Sequence, residues 1–244
     1  MPGAVNRVTI GVVWARASSG GATGSFNLLK EASDKATTLY KNNFTLKVGP
    51  EAPKLEIVEL DRKLIIKLLN TKSIERFTDT FAGPCPQPTI YKFQGYQVWQ
   101  LKTASIPSDI NDPSQARLVA QFDIIDGVAR VVNTVFSPEL EESVKRIMVE
   151  GTNKGIQHSF EITKDLFETG SDQSLVNFKN YNYYVVSYAT ASAACPTDAD
   201  QYLSSSKTIG EASLSIYTAL PHDPTPSGKS INSDYGTGLP ITMG

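Results

Sequence analysis

Apolar and polar positions alternate through most of residues 55–218, the period-two signature of half-buried strands. Leu55, Ile57 and Leu60 mark a first strand, and Leu64, Ile66 and Leu68 a second beyond the charged turn Asp61-Arg62-Lys63. Residues 71–90 read as a long polar loop. Tyr91 to Leu101 is the clearest central strand, with Tyr96, Val98 and Gln100 on one face and Gln97, Trp99 and Leu101 on the other. Residues 103–116 form a second polar loop. Two β-rich runs, Arg117–Ile125 and Val128–Phe136, then flank Asp126-Gly127, which predicts a hairpin because both residues accept positive φ. Ile156, His158, Phe160 and Ile162 alternate next, followed by Tyr181, Tyr183, Val185 and Ser187, and Leu214, Ile216 and Thr218 close the sheet. Residues 137–150 fit two readings, a helix opened by Ser137-Pro138-Glu139 or a short strand at Arg146–Val149.

The N-terminal region follows another rhythm. Leu29, Ala32, Ala36, Leu39, Tyr40 and Phe44 recur at helical spacing, after a β-like run at Val8–Trp14 and a glycine-rich loop at Ser18–Gly24. Strand, glycine loop and helix in that order imitate a dinucleotide fingerprint. Ser19 stands where its first glycine belongs, no second βαβ strand follows, and no Gly-Lys-Ser/Thr is present, so a loop joining strand to helix is the better reading. Gly49-Pro50-Glu51-Ala52-Pro53 ends the helix and predicts a boundary. The expected organisation has three parts. Residues 1–48 are a strand plus helix left from an upstream domain, residues 53–220 a mainly β antiparallel sandwich, and residues 221–244 a linker or tail rich in Pro, Gly, Ser and Asp. Both ends read as cut from a longer protein.

Composition narrows the function. The 244 residues include 40% hydrophobic and 20% charged ones, enough to bury a core. With 23 basic and 25 acidic residues and a net charge of −2, the chain lacks the basic surface of a general nucleic-acid binder. No apolar run reaches the roughly 20 residues that a membrane span needs. The two cysteines, Cys85 and Cys195, are too few for a disulfide scaffold or a structural zinc site and read as unrelated surface thiols or one cross-loop disulfide.

Chemistry-bearing residues are sparse. His158 and His222 are the only histidines; neither adjoins a Ser or Cys in a nucleophile motif, and His158 reads as a satisfied residue on the apolar side of its strand. Asp109, Asn111 and Asp112 cluster in one loop and are weak calcium candidates without EF-hand spacing; an Asx-turn that starts and stops the loop is the better reading. Glu139, Glu141 and Glu142 read as a solvated face. Tyr91, Tyr96, Trp99, Tyr183, Tyr184 and Tyr188 would make a sugar platform only if several faced outward together, with Trp99 the candidate ligand contact. No motif carries a reaction, and the chain reads as a non-enzyme.

Leu175 followed by Tyr181, Tyr183 and Val185 resembles the tyrosine-corner strand of fibronectin type III domains, in which a tyrosine hydroxyl bonds back to the preceding loop. Leu64–Leu68 resembles that family's second strand, Gly95-Tyr96-Gln97-Val98 its third and Phe160-Glu161-Ile162-Thr163 its fifth, although Leu68 stands where the family usually has a tryptophan. Residues 36–44, the Gly49–Pro53 linker, Tyr91–Tyr96, Ala116–Gln121, Tyr217–His222 and the tail at Tyr235 are similar to segments of large Bacteroidetes cell-surface proteins associated with type IX secretion. The resemblance implies an extracellular, structural or adhesive module. Its partners would be neighbouring domains of the same polypeptide, another surface protein or a glycan, and it supplies no active-site residues. It also implies that the Cys85 and Cys195 loops lie at one end of the fold in an oxidising setting, which favours a disulfide that would add roughly 4 kcal/mol. The alternative is an accessory, carbohydrate-binding domain of a secreted hydrolase.

Overall fold

A computed structural model describes residues 10–17, 20–41, 47–81, 88–107, 109–137, 142–191 and 201–224. The chain is mainly β, and every strand pairing is antiparallel. Strands β1 (Lys54–Leu60), β2 (Lys63–Leu69) and β8 (Ser159–Ile162) form one sheet in the order β1-β2-β8. Opposite it, β4 (Thr89–Leu101) pairs along one side with β9 (Tyr181–Ala191) and along the other with β3 (Thr78–Phe81) and β5 (Ala116–Asp123). The outer side of β9 carries two short strands, β10 (Tyr202–Ser204) and β11 (Ile216–Ala219).

The core between the sheets follows from the alternation. Leu64, Ile66 and Leu68 of β2 meet Tyr96 and Val98 of β4, Tyr181, Tyr183 and Val185 of β9, and Leu175 from the preceding loop. Burying each of the aliphatic ones contributes about 1.5–3 kcal/mol. Alternation should leave the other face of β4–β9 in water, yet it is covered too. Trp99, Leu101, Tyr184 and Val186 pack against Ile110, Leu214 and Ile216. Next to them, Tyr188 packs against Val131 and Val149. Those two valines belong to a separate ribbon of β6 (Arg130–Ser137) and β7 (Glu142–Glu150), laid over the outer face as a third layer. Close approach on this face needs a residue without a side chain. A Cβ on Gly95 would collide with the Phe122 carbonyl oxygen and lie 2.7 Å from the Tyr188 hydroxyl.

Several expectations are corrected. Asp126-Gly127 turns the chain, but it does not join a hairpin: β5 pairs with β4, while β6 pairs with β7. A two-residue type I′ turn needs positive φ at both positions, and only Gly127, at φ 86, has it. Asp126 instead bends the chain through its side chain, its Oδ1 accepting the Val128 N–H at 2.9 Å. Asn153 Oδ1 fixes the same turn by accepting the N–H groups of Asp126 and Gly127. The ambiguous 137–150 region is strand at Glu142–Glu150, and its hairpin partner is β6. The 71–90 stretch is not a plain loop: it holds a one-turn helix, α2 (Thr71–Ile74), and β3.

At the N-terminus the helix is present as α1 (Gly21–Lys41), and it begins inside the glycine-rich stretch. Gly24 N–H already donates to the Gly20 carbonyl, so these glycines form a first helical turn rather than a phosphate loop. The strand expected at 8–14 is not formed over its described residues, 10–14; Ile10, Val12 and Trp14 are 84, 91 and 79% exposed. The Gly49–Pro53 boundary is stitched into the sandwich: Ala52 bridges Thr208 in parallel, and Ser187 Oγ lies 2.7 Å from the Glu51 carbonyl. Residues 221–224, assigned to the tail, begin bound as well, since the Pro221 carbonyl accepts the Phe178 N–H.

Candidate functional site

Trp99 points from β4 into the gap between the main sheet and its outer cover. It is 9% exposed, against Leu101, Ala116, Tyr184 and Val186. Its ring lines a narrow cleft of about 90 Å³ shared with Ile110, Met148 and Tyr202, and its indole N–H has no partner among the described residues. Tyr91, Tyr96, Tyr183, Tyr184 and Tyr188 are buried as well. Burial pushes the Tyr184 hydroxyl up to about 12, and those of Tyr96, Tyr183 and Tyr188 further. These rings are construction material, and no outward-facing aromatic plane is made from them.

Tyr181 ends the loop that enters β9. Its hydroxyl accepts the Val176 N–H at 2.9 Å, and Leu175 is fully buried beside it. The same loop is tied to the β1–β2 turn. Arg62, at φ 51, donates its N–H to Asn177 Oδ1 at 2.8 Å, its Nε–H to the Leu175 carbonyl, and its guanidinium to Asp172. One end of the sandwich is therefore locked by polar contacts.

The calcium candidates are spent on their own loop. Asp109 Oδ1 accepts the backbone and side-chain N–H groups of Asn111, at 3.0 and 3.1 Å, and Oδ2 faces Arg146 at 3.4 Å. Asp112 accepts from Ser114 N–H, Ser114 Oγ and Gln115 Nε2. These bonds hold both carboxyls below the usual range, the Asn111 N–H being the main cause at Asp109 and the Ser114 hydroxyl at Asp112. Among the described residues no three His, Cys, Asp or Glu side chains converge on a metal position. Cys85 and Cys195 lie outside the described residues, as do Glu139 and Glu141.

His158 is not on an apolar face. It is half exposed in the bend before β8, and its Nε2 sits 2.6 Å from Glu75 Oε1, which also accepts the hydroxyl of buried Tyr96 at 3.2 Å. His222 faces the Leu220 carbonyl and Glu59. The histidines are thus separate in role, each holding a loop to a carboxylate, and among the described residues no Ser or Cys nucleophile is bonded to either.

Two carboxylates that alternation did not single out are the most deeply set. Asp123 accepts the N–H groups of Thr152 and Asn153 at 3.0 and 2.7 Å, clamping the turn after β7 onto the end of β5. Asp165 takes Gln100 Nε2, the Phe167 N–H and Lys179 Nζ, the last at 2.8 Å. Burial pushes the Asp165 carboxyl up, but the bonds from Lys179, Phe167 and Gln100 together outweigh it, and the net shift is downward. Their sequence signal was weak, because one polar residue at a strand end resembles any turn residue.

Among the described residues no helix is long and apolar enough to cross a membrane. Comparison of the chain with protein-family models, curated proteins and solved structures found no match.

Proposed function

We propose that this chain is a non-catalytic structural or interaction module of a secreted cell-surface protein, related to fibronectin type III domains. The observation that carries the reading is the covering of both faces of the β4–β9 sheet. Tyr96, Tyr183, Trp99, Tyr184 and Tyr188 pack between the three layers instead of being offered to a ligand. A body whose loops are bound at one end through Arg62 and along one edge through Ala52 suits a spacer that transmits position between neighbouring domains. The strand order β1-β2-β8 facing β5-β4-β9, and the Val176–Tyr181 bond, support the family resemblance. The extracellular setting and type IX export rest on the sequence resemblance.

The competing module, one that binds carbohydrate through Trp99, needs an exposed indole plane, and the ring is packed under Ile110 and Leu214. A glycan-array screen of the purified chain, with and without calcium, tests the choice. Silence in both conditions is the expected result. Reproducible binding that disappears in a Trp99→Phe variant with an unchanged melting temperature would overturn it.

A further inference from the structure

The β6–β7 ribbon is a two-stranded sheet of its own, and among the described residues no backbone hydrogen bond joins it to another strand. Side chains hold it down instead. Gln121 Nε2 donates to the Glu150 carbonyl at 2.7 Å, and Gln97 Nε2 to that of Met148 at 3.2 Å. Asn133 grips the backbone of Tyr202 twice: its Nδ2 donates to the carbonyl at 3.1 Å and its Oδ1 accepts the N–H at 2.7 Å. The Arg146–Asp109 pair, at 3.4 Å, is exposed and adds little. Among the ribbon residues whose side chains are described, only Val131 and Val149 are buried. Both lie on Tyr188, whose ring stacks with Tyr202 at 5.5 Å. A two-stranded hairpin by itself is marginal in water, so these few contacts decide how long the ribbon stays down.

Both ends of the ribbon leave the body at one place, and there the chain is clamped. Asn153 Oδ1 accepts the N–H groups of Asp126 and Gly127, which ties the turn before β6 to the turn after β7. Asp123, at the end of β5, holds the N–H groups of Thr152 and Asn153. Gly127, Asn153 and Gly155 all have positive φ in these turns, at 86, 53 and 96°. The feet are therefore fixed to the body, while the length above them rests on a few side chains. We propose that the β6–β7 ribbon is a strap: it lifts as one unit about these clamped turns, while the two facing sheets stay folded, and uncovers the Tyr188–Tyr202 pair. Segments with few buried apolar contacts are the ones that open below the global cost. The Tyr188 hydroxyl is buried without a partner among the described residues, and water reaching it on release offsets part of the apolar burial lost. The strap does not depend on the spacer reading, since its opening needs neither a glycan nor a neighbouring domain.

Native-state hydrogen exchange of the purified chain, read by mass spectrometry in low urea, tests this. Amides of residues 130–137 and 142–150 should exchange together, about tenfold or more faster than those of β9, and with a weaker dependence on urea. Two substitutions separate lifting of the strap from global unfolding. Ile66→Val weakens the inner core, which stays intact when the strap lifts. It should speed exchange in β9 about two- to tenfold and leave the ribbon's rate unchanged. Asn133→Ala removes both bonds to Tyr202 and should speed exchange in the ribbon about tenfold. Ribbon amides that exchange at the β9 rate, that speed up equally with β9 in Ile66→Val, or that do not respond to Asn133→Ala would each overturn the proposal.

Discussion

Strand β9 and residues 10–14 have much the same local character and opposite fates. Both are rich in β-branched and aromatic residues, the types that suit a pleated, half-buried surface. In β9, Tyr181, Tyr183 and Val185 face the inner core, Tyr184 and Val186 face the outer layer, and both edges are hydrogen-bonded to other strands. Residues 10–14 join no strand, and Ile10, Val12 and Trp14 stand in solvent. Propensity makes a segment ready to be a strand, and neighbours decide whether it becomes one. The surroundings of β9 are supplied by segments from Lys54 to Ala219, so its stability belongs to the whole body.

The comparison breaks hardest at Tyr183. Truncation to alanine empties a fully buried site facing Leu64 and Ile66 and should cost about 3–5 kcal/mol in denaturant unfolding. Replacement by phenylalanine isolates the hydroxyl. That oxygen is buried without a hydrogen-bond partner among the described residues, so Tyr183→Phe should leave stability unchanged or raise it by about 1 kcal/mol. Tyr181→Phe should do the reverse and cost about 1 kcal/mol, because it removes the acceptor of the Val176 N–H. A loss of stability in Tyr183→Phe equal to that in Tyr181→Phe would show that the Tyr183 hydroxyl is bonded after all.

These outcomes mark what the sequence could and could not reveal. The inner core was legible, because Leu64, Ile66, Tyr96, Val98 and Tyr183 repeat at period two and face one another across the sandwich. The third layer was not. Trp99 and Leu101 on the other face of β4, like Tyr188 on β9, gave no sign of what covers them, since Ile110, Leu214 and Ile216 lie over the first two and Val131 and Val149 over the third, all from other segments of the chain. Asp126-Gly127 misled for a related reason. Its local chemistry does turn the chain, but long-range bonds from Gln94 and Asn153 set the direction of exit. The calcium loop was legible as two alternatives, and hydrogen-bond geometry gives the carboxylates to Asn111, Ser114 and Gln115.

A smaller effect separates the two regions by pH. The Asp165 carboxyl, which braces the loop before β9, is held below its ordinary value. A depressed carboxyl contributes stability that is present above the unfolded value of about 3.9 and is lost as pH falls through the folded one. Lys179 is raised, chiefly by its bond to Asp165, so its contribution is present below the ordinary lysine value and fades in strong alkali. Acid titration of the unfolding free energy should therefore show a steeper loss below about pH 4 in the wild-type chain than in Asp165→Asn. Parallel curves would remove Asp165 from the account. Residues 10–14 carry no carboxylate, so this acid response belongs to the sandwich.

The smallest expected change is at Trp14. Its ring is 79% exposed and Trp99 is 9% exposed, so the chain carries one tryptophan in each of the two environments compared. Trp14→Ser should shift unfolding free energy by no more than about 0.5 kcal/mol, as surface substitutions do. It should also remove the acrylamide-quenchable, red-shifted part of the native emission and leave the protected signal of Trp99. A destabilisation comparable to that of Tyr183→Ala would mean that residues 10–14 are paired in solution, and the contrast with β9 would then be one of partner and not of pairing. A small shift together with a quenching curve reduced to its protected component would establish that the same strand-forming chemistry is idle at one end of the chain and structural at the other.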